Sequence, residues 1–503
     1  MFVGKLKSIA FSLGTGGLLL IGLLLLLNEA PQKARAEPGT WFVVPSGAGD
    51  CSQGDPCSLQ AALSAANDGD AIYMGQGTYT GAGAAVITIT EDITLYGGWD
   101  GAPSGAPHRD PVLYPATLDG QNARRVVYIS GPAAPVLDGL VITAGEAEGL
   151  GGDGSSDAGG GIYGAYANPL INDCTIIDNS AGPASAAHEG TGGGLFLRGG
   201  DARLENSRII SNTARWGGGA RLIAGEPVLR HNLFLSNTSL FGGGVYLMAG
   251  RGVVEDNRFQ GNTGDRGGAI YLSTASSAVK RNLIRGNSGR YGGGIGINGG
   301  SPFVSGNRIL ENLASHGGAV NIEYSESRLE NNFIADNEAA EGAGVRVRKG
   351  PVVLRHNTLA SNTGADGVGV LVETDASVVL TNTILVSHTV GIRVTAGSTA
   401  TLEATLWYDN GLDTGGAGAI STGTLNVYED PAFVDPVAWD YHLTEGSPAI
   451  DAGVYAGVTT DIDGEPRGIS PDIGADEYIT KYSTWLPLVL RLSEGLVLGS
   501  QGP

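Results

Sequence analysis

The sequence is dominated by a repeat of 25 residues. A Gly-Gly pair recurs at this spacing and begins at Gly192, Gly217, Gly242, Gly267, Gly292 and Gly317, with degraded copies at Gly342 and Gly367. Two asparagine series share the spacing, namely Asn232, Asn257, Asn282, Asn307, Asn332, Asn357 and Asn382, and Asn212, Asn237, Asn262, Asn287, Asn312, Asn337 and Asn362. An earlier unit at 159–179 fits the same template and is followed by an insertion at 182–190. Such series predict a repeat protein, in which each unit buries its apolar face against its neighbours.

Within a unit, apolar residues alternate with a period of two, which predicts short β-strands. Ala220 and Leu222 point to one side of such a strand, and Arg221 and Ile223 to the other. Three strands plus turns use up about 25 residues at ~3.3 Å per residue. Each unit is therefore predicted to form one coil of a parallel β-helix, stacked on the next coil at ~4.8 Å.

The glycine and asparagine columns are interpreted as structural. Asn tolerates the left-handed backbone that a sharp corner requires, and its side chain can hydrogen-bond the same residue one coil further on. The Gly pairs are expected at another corner, where φ is positive or no side chain fits.

The N-terminal residues 1–36 have the pattern of a signal peptide. Lys5 and Lys7 precede an apolar run at 9–27, and Ala34-Arg35-Ala36 is a small-x-small cleavage site. An uncleaved signal anchor is the alternative, and both place the protein outside the cytoplasm. In that oxidising environment Cys51 and Cys57 are expected to form a disulfide, which leaves Cys174 as a buried free thiol.

The remaining chain is divided by its composition. We expect an N-terminal cap at 37–80 with a short amphipathic helix near 57–63, the β-helix at 81–425, a loop-rich C-terminal cap at 426–480, and a tail at 481–503. The tail carries an apolar patch at 485–490, which suggests a sorting or attachment segment.

Several motifs resemble those of a known superfamily. Gly267-Gly268-Ala269-Ile270 and Phe259-Gln260-Gly261-Asn262 resemble the right-handed parallel β-helix repeats of pectate-lyase-like proteins, and they are also similar to repeats of bacterial polymorphic outer-membrane proteins. The segments 447–453, 460–464 and 471–478 resemble the C-terminal module of bacterial choice-of-anchor surface proteins. The resemblance implies an all-β, right-handed parallel β-helix that is secreted or displayed on a bacterial cell surface. It leaves the activity open, because this fold carries lyases, hydrolases, epimerases and adhesins.

The charge balance limits the partners. The chain has 30 basic and 51 acidic side chains and a net charge of −21. Nucleic acid is not expected as a partner, because its phosphates are bound by basic surfaces. Membrane contact is expected only through an uncleaved N-terminal segment or the tail. The sequence does not set the oligomeric state.

A polysaccharide or cell-surface glycan is the predicted ligand, because two predicted columns are rich in aromatic residues. One column holds Tyr163, Phe196, Arg221, Tyr246 and Tyr271, and the column before the Gly pairs holds Trp216, Phe241 and Tyr291. Exposed rings could stack on sugars while Arg binds carboxylates or sulfates. The alternative is cross-coil stacking that stabilises the sheet. We therefore expect a surface binding, adhesion or structural protein.

An enzyme, either a polysaccharide lyase or a glycoside hydrolase, is the alternative function. Glu311 and Asp336 are column neighbours and meet the ~5 Å carboxylate spacing of a retaining glycosidase, although acidic residues are also common at turns. Asp461, Asp463 and Glu465 have oxygen ligands at a spacing that could bind Ca²⁺, with turn formation as the other explanation. No other cofactor is indicated.

Overall fold

The computed structural model describes residues 38–182 and 189–479, which form a parallel β-solenoid of about 14 turns. The predicted all-β class and the 25-residue coil spacing are confirmed. The proposed signal segment, the tail and most of the 182–190 insertion lie outside the described residues. None of the helices in the described part of the chain has the length and apolarity to cross a bilayer.

The first sheet begins directly after the Gly pairs. Its parallel strands pair in register, so that Ala220 lies opposite Val245. The strands are Ala85–Ile89, Arg125–Ile129, Ile162–Ala165, Leu195–Arg198, Ala220–Ile223, Val245–Met248, Ile270–Ser273, Ile295–Asn298, Val320–Glu323, the first parts of Val345–Arg355 and Val368–Val386, Val390–Val394 and Leu412–Gly415.

The second and third sheets complete the coil. The second sheet contains Thr40–Val43, Ala71–Gly75, Thr94–Trp99, Val136–Asp138, Leu170–Asn172, Arg203–Glu205, Val228–Arg230, Val253–Glu255, Ala278–Lys280, Phe303–Ser305, Arg328–Glu330 and Ala419–Thr422. The third contains Gly77–Tyr79, Ala116–Asp119, Leu140–Thr143, Thr175–Ile177, Arg208–Ile210, Leu233–Leu235, Arg258–Gln260, Leu283–Arg285, Arg308–Leu310, Phe333–Ala335 and Thr358–Ala360. In the last coils, Val345–Arg355, Val368–Val386 and Thr399–Tyr408 run across the corners and continue these sheets.

A fourth sheet was missed by the sequence prediction of three strands per coil. It contains Thr238–Phe241, Thr263–Arg266, Ser288–Tyr291, Leu313–His316, Glu338–Glu341 and Thr363–Gly364. The second residue of each of the first five strands is small, and these residues are Ser239, Gly264, Gly289, Ala314 and Ala339. Small side chains let this segment lie close to the corner glycines: a Cβ on Gly264 would lie 2.7 Å from the Gly267 oxygen.

The asparagines form two buried ladders. In the second series, Asn262 Nδ2 donates to Asn287 Oδ1 at 2.9 Å, and Asn287 Nδ2 donates to Asn312 Oδ1 at 3.0 Å. The predicted stacking is confirmed, but the predicted left-handed conformation of the asparagines is wrong. It belongs to the preceding residue, as at His231 (φ 57°) and Asp256 (φ 56°). The Asn side chain must point inward to bond the adjacent coils, so its predecessor makes the turn.

Asn382 does not belong to the first ladder, although the 25-residue spacing predicted it. The pairing register shifts between Arg348 and Gly350, so Asn382 instead occupies the left-handed corner position with φ 51°. Its Nδ2 lies 2.9 Å from His356 Nε2. The second ladder continues from Asn362 to His388, with Nδ2 and Nε2 3.1 Å apart. Burial lowers the pKa of His388 to about 4, so a neutral imidazole can accept this hydrogen bond.

The Gly pairs and the interior agree with the prediction. Gly217 has φ 65°, and a Cβ on Gly268 would lie 2.2 Å from the Gly293 oxygen. The inward columns are fully buried, and the rings of Phe234 and Phe259 stack at 4.7 Å.

The N-terminal segment joins the solenoid directly. The helix Leu59–Ala65 starts after Ser58, whose side chain accepts a hydrogen bond from Ala61 N, and it buries Leu59 and Ala62. The expected disulfide between Cys51 and Cys57 is present, and Cys174 is a buried free thiol.

Residues 428–479, called here the C-terminal module, fold back over the outer face of the third sheet. The module contains an antiparallel pair, Phe433–Asp435 and Asp440–Leu443, around the 3-10 helix Pro436–Ala438. It buries Phe333 of the third sheet against Tyr441. The sequence predicted a cap at the solenoid end, whereas the module covers the flank of several coils.

Candidate functional site

The two predicted aromatic columns exist and lie side by side. Strand pairing places Tyr163, Phe196, Arg221, Tyr246 and Tyr271 one coil apart on the outer face of the first sheet. Trp216, Phe241 and Tyr291 follow the corner next to them, at the ends of fourth-sheet strands or level with them. We call these eight side chains the aromatic face.

The first of these columns is buried, which contradicts the expectation of exposed rings. Phe196 has no exposed surface, and Tyr163, Tyr246 and Tyr271 are each 7% exposed. The Tyr163 ring stacks on Phe196 at 5.6 Å, with an angle of 10° between the ring planes. Cross-coil stacking therefore accounts for these rings structurally, and their role in ligand binding stays a prediction.

The column of Trp216, Phe241 and Tyr291 remains half-exposed. Arg215 lies 5.3 Å and Arg221 5.1 Å from the centroid of the Trp216 ring. Phe241 is the next ring along the column, 6.5 Å from Trp216. Guanidinium groups over aromatic rings hold both groups in place by cation–π attraction.

Tyr291 forms a second centre of the same kind. Arg266 lies 4.8 Å and Arg290 5.1 Å from its ring centroid, and the His316 ring stacks at 4.9 Å on the next coil. Arg290 is exposed and has no ion pair with any residue in 38–182 or 189–479. The sequence reasoning missed Arg215 and Arg290, although each directly precedes a named aromatic residue.

The end of the aromatic face is an ion-pair network. Arg266 contacts Glu323 at 3.5 Å, and Arg348 contacts Glu323 and Glu373 at 3.2 Å each. Arg346 contacts Glu373 at 2.6 Å. The sequence predicted Glu323, Arg348 and Glu373 as an ion-pair ladder, and these contacts agree with it.

Glu311 and Asp336 occupy left-handed corner positions, with φ 53° and 54°. Glu311 is exposed and pairs with Arg285 at 2.5 Å. Asp336 is half-buried beneath the C-terminal module, where Tyr441 donates to Oδ2 at 3.4 Å, and burial raises the pKa of Asp336. The structure thus places both acids at turns, and their catalytic role stays a prediction.

Asp461, Asp463 and Glu465 do not converge as the predicted Ca²⁺ ligand set. Asp461 Oδ1 accepts the backbone N–H groups of Asp463 at 3.0 Å and Glu465 at 2.7 Å, and its Oδ2 accepts that of Glu477. The three residues form a turn whose buried carboxylate is already satisfied, so the turn-forming explanation fits them.

A different group lies nearby, in a cavity of about 660 Å³. His442 Nε2 is 2.7 Å from Asp463 Oδ2, and possible ligand atoms of His442, Asp463 and Asp476 lie within 4.8 Å of one another. Hydrogen bonds from Asp463 and then Asp440 raise the pKa of His442 to about 9. At neutral pH an imidazolium therefore balances these carboxylates.

The chain matches a family model described as a right-handed β-helix region, over residues 127–288 and 263–405. These matches cover more than half of the chain. No curated protein sequence matches it.

Three solved structures illustrate the similarity of fold. Pectate lyase Pel9A has 14% identity and a TM-score of 0.38, with 88% of this chain and 97% of that chain covered. A PL6 alginate lyase in complex with a trisaccharide has 12% identity and a TM-score of 0.43, with the same coverage. A tailspike mutant of E. coli bacteriophage HK620, in complex with a hexasaccharide, has 11% identity and a TM-score of 0.26, with 75% of this chain and 78% of that chain covered. These values are too low to assign an activity. The family match and the parallel β-solenoid confirm the predicted right-handed β-helix, and the chain belongs to the right-handed β-helix family.

Proposed function

We propose that this protein is exported from a bacterium and binds a polysaccharide or cell-surface glycan along the aromatic face. The supporting observation is the half-exposed column of Trp216, Phe241 and Tyr291, with guanidinium groups packed against its rings. Aromatic faces stack on the apolar faces of sugar rings, and arginines supply hydrogen bonds to their polar groups. A linear column along the solenoid suits a polymer better than a small molecule.

A binding assay tests this proposal. The protein is titrated with neutral and anionic polysaccharides, and the double variant Trp216→Ala with Tyr291→Ala is compared with wild type. We expect the affinity to fall about tenfold or more, because each ring contributes ~0.5–1.5 kcal/mol of contact energy.

Tyr324→Ala is the matched control. Tyr324 is 58% exposed and has Lys349 Nζ 5.1 Å from its ring centroid, but it lies outside the aromatic face. Its affinity should equal that of wild type. Equal affinity of the double variant and wild type would exclude binding through these rings.

The alternative is a polysaccharide lyase or glycoside hydrolase. Burial raises the pKa of Asp336, whereas its neighbour Glu311 is exposed beside Arg285. Two carboxyl groups in contrasting environments are the pattern of an acid and a base. New reducing ends that are lost in Asp336→Asn and Glu311→Gln would support a hydrolase, and unsaturated uronates detected by ultraviolet absorbance would support a lyase. No product from any substrate supports binding alone.

Export is tested by cell fractionation and N-terminal sequencing. We expect the protein outside the cytoplasm with Glu37 as its first residue. An intact N-terminus in the membrane fraction would support the signal anchor. Loss of surface retention on deletion of 481–503 would support attachment through the tail.

A further inference from the structure

A short strap lies across one end of the aromatic face. Its residues, 149–157, form a hairpin from the strands Gly152–Asp153 and Ser156–Asp157. The Asp157 carboxylate holds the base of the strap by accepting the backbone N–H groups of Gly149 at 2.8 Å and Gly151 at 2.6 Å. At the tip, Gly152, Gly154 and Ser155 are exposed.

The strap presents one carboxylate to two arginines of the solenoid. Asp153 Oδ2 lies 3.1 Å from Arg221 Nη1, and Asp153 Oδ1 contacts Arg198 Nη2. Arg198 and Arg221 come from first-sheet strands on adjacent coils, and they converge on a residue far away in the sequence. Only 9% of the Asp153 side chain is exposed, so it fills the space between the guanidinium groups.

The arginine at the centre is held in a prepared position. The Arg221 side chain is 9% exposed, its Nη1 donates to Thr191 Oγ1 at 2.6 Å, and its guanidinium lies between the Trp216 and Tyr246 rings. Its buried Nε has no hydrogen-bond partner. Leaving a buried donor unpaired is costly. The group therefore has an unused donor that the strap carboxylate does not satisfy.

We propose that Asp153 takes the place of a carboxylate of an acidic glycan, and that such a glycan binds by displacing the strap tip from Arg198 and Arg221. This inference rests on the proposed function and adds a ligand class and a competing internal group to it. A guanidinium pair binds carboxylates with directed, charge-assisted hydrogen bonds. An internal competitor lowers the apparent affinity by the fraction of molecules in which the site is free.

The strap tip has few other ties to the solenoid. Besides the Asp153 contacts, the Tyr163 hydroxyl donates to the Gly152 oxygen at 3.0 Å. Arg125 bonds the carbonyl oxygens of Gly151 and Ala158 at the base, which leaves the tip to move about a fixed base. The positive φ of Gly152 and Gly154 places the tip in conformations that glycine adopts without strain.

The test compares Asp153→Asn with wild type. Affinities are measured by calorimetry for polygalacturonate, dextran sulfate and neutral dextran. We expect Asp153→Asn to bind polygalacturonate about tenfold more tightly than wild type, with no gain for neutral dextran. Glu91→Gln removes one negative charge at an exposed position of an N-terminal coil and controls for net charge.

Removing the clamp should have the opposite effect. Arg198→Gln is expected to weaken polygalacturonate binding about tenfold in the Asp153→Asn background. Arg198 is 39% exposed, so this variant keeps the fold more safely than a change at Arg221. An equal loss in circular-dichroism signal would identify unfolding.

The outcomes separate the two proposals. Unchanged or weaker binding by Asp153→Asn, in a protein whose wild type binds glycan, overturns the strap inference alone. A gain for dextran sulfate only, or an equal gain in Glu91→Gln, overturns the assignment to a carboxylate. Absence of binding to every glycan by wild type and Asp153→Asn overturns the proposed function together with this inference.

Discussion

Replacement of Asn287 by Ala tests how much a single ladder residue contributes to the solenoid. Asn287 is fully buried, and its side chain takes part in four hydrogen bonds. Its Oδ1 accepts from Asn262 N and from Asn262 Nδ2, both at 2.9 Å. Its Nδ2 donates to Phe259 O at 3.1 Å and to Asn312 Oδ1 at 3.0 Å.

The cost follows from what stays unpaired. In Asn287→Ala the backbone N–H of Asn262 loses its acceptor, which costs ~1–3 kcal/mol for a buried group. The Asn262 amide keeps Phe234 O, and Asn312 Oδ1 keeps the Asn287 backbone N–H, so these two lose only part of their bonding. The total is about 2–4 kcal/mol of local stability.

Hydrogen exchange is the suitable assay, because long repeat arrays do not unfold in a single two-state step. Protection of backbone amides in the coils between Asn262 and Asn312 should fall about 30- to 1,000-fold, as each 1.4 kcal/mol is a factor of ten. The matched control is Asn298→Ala, because Asn298 is half-exposed and its side chain has no hydrogen bond within the described ranges. A loss in Asn287→Ala no larger than in Asn298→Ala would refute the argument.

Three further predictions concern single groups. The raised pKa of His442, about 9, adds stability that is complete below about pH 6.5 and is lost as the pH rises through 9, so docking of the C-terminal module should weaken across this window. Proteolysis of the module against pH measures this, and His442→Gln should remove the dependence. Arg467 is 1% exposed and pairs with Glu477 at 2.9 Å, so Arg467→Gln should release the module to protease at a cost of about 3–5 kcal/mol, while the exposed Arg290→Gln should not. Burial raises the pKa of Cys174 to about 12, so this thiol should react with thiol reagents only after denaturation, and reaction in the native protein would contradict its burial.

Translation along the solenoid axis explains why so much of the fold could be predicted. Residues one repeat apart become strand neighbours, so the sequence spacing alone placed Arg221 between Phe196 and Tyr246, as the pairing confirms. The same logic failed at Asn382, because the single irregularity between Arg348 and Gly350 moves every later residue by one position.

The exposure of the aromatic face could not be predicted in this way. Repeat spacing describes contacts between adjacent coils, but the strap that covers Arg221 comes from an irregular segment before the regular repeats. Its contact through Asp153 has no counterpart in the other coils. The C-terminal module likewise meets coils remote in sequence, as where Ala475 N donates to Thr358 Oγ1 at 3.1 Å.

The position of the C-terminal module also determines how mechanical tension would enter the molecule. Thr460 O accepts from Asn331 Nδ2 at 2.7 Å, and Gly474 N donates to Asn382 O at 2.9 Å, so the module is joined to coils well before the last one. A pull on the chain at Ile479 would therefore load these flank contacts in shear. The final strand, Ala419–Thr422, would carry little of that load. The solenoid could then not be peeled coil by coil from this end until the module had been sheared off.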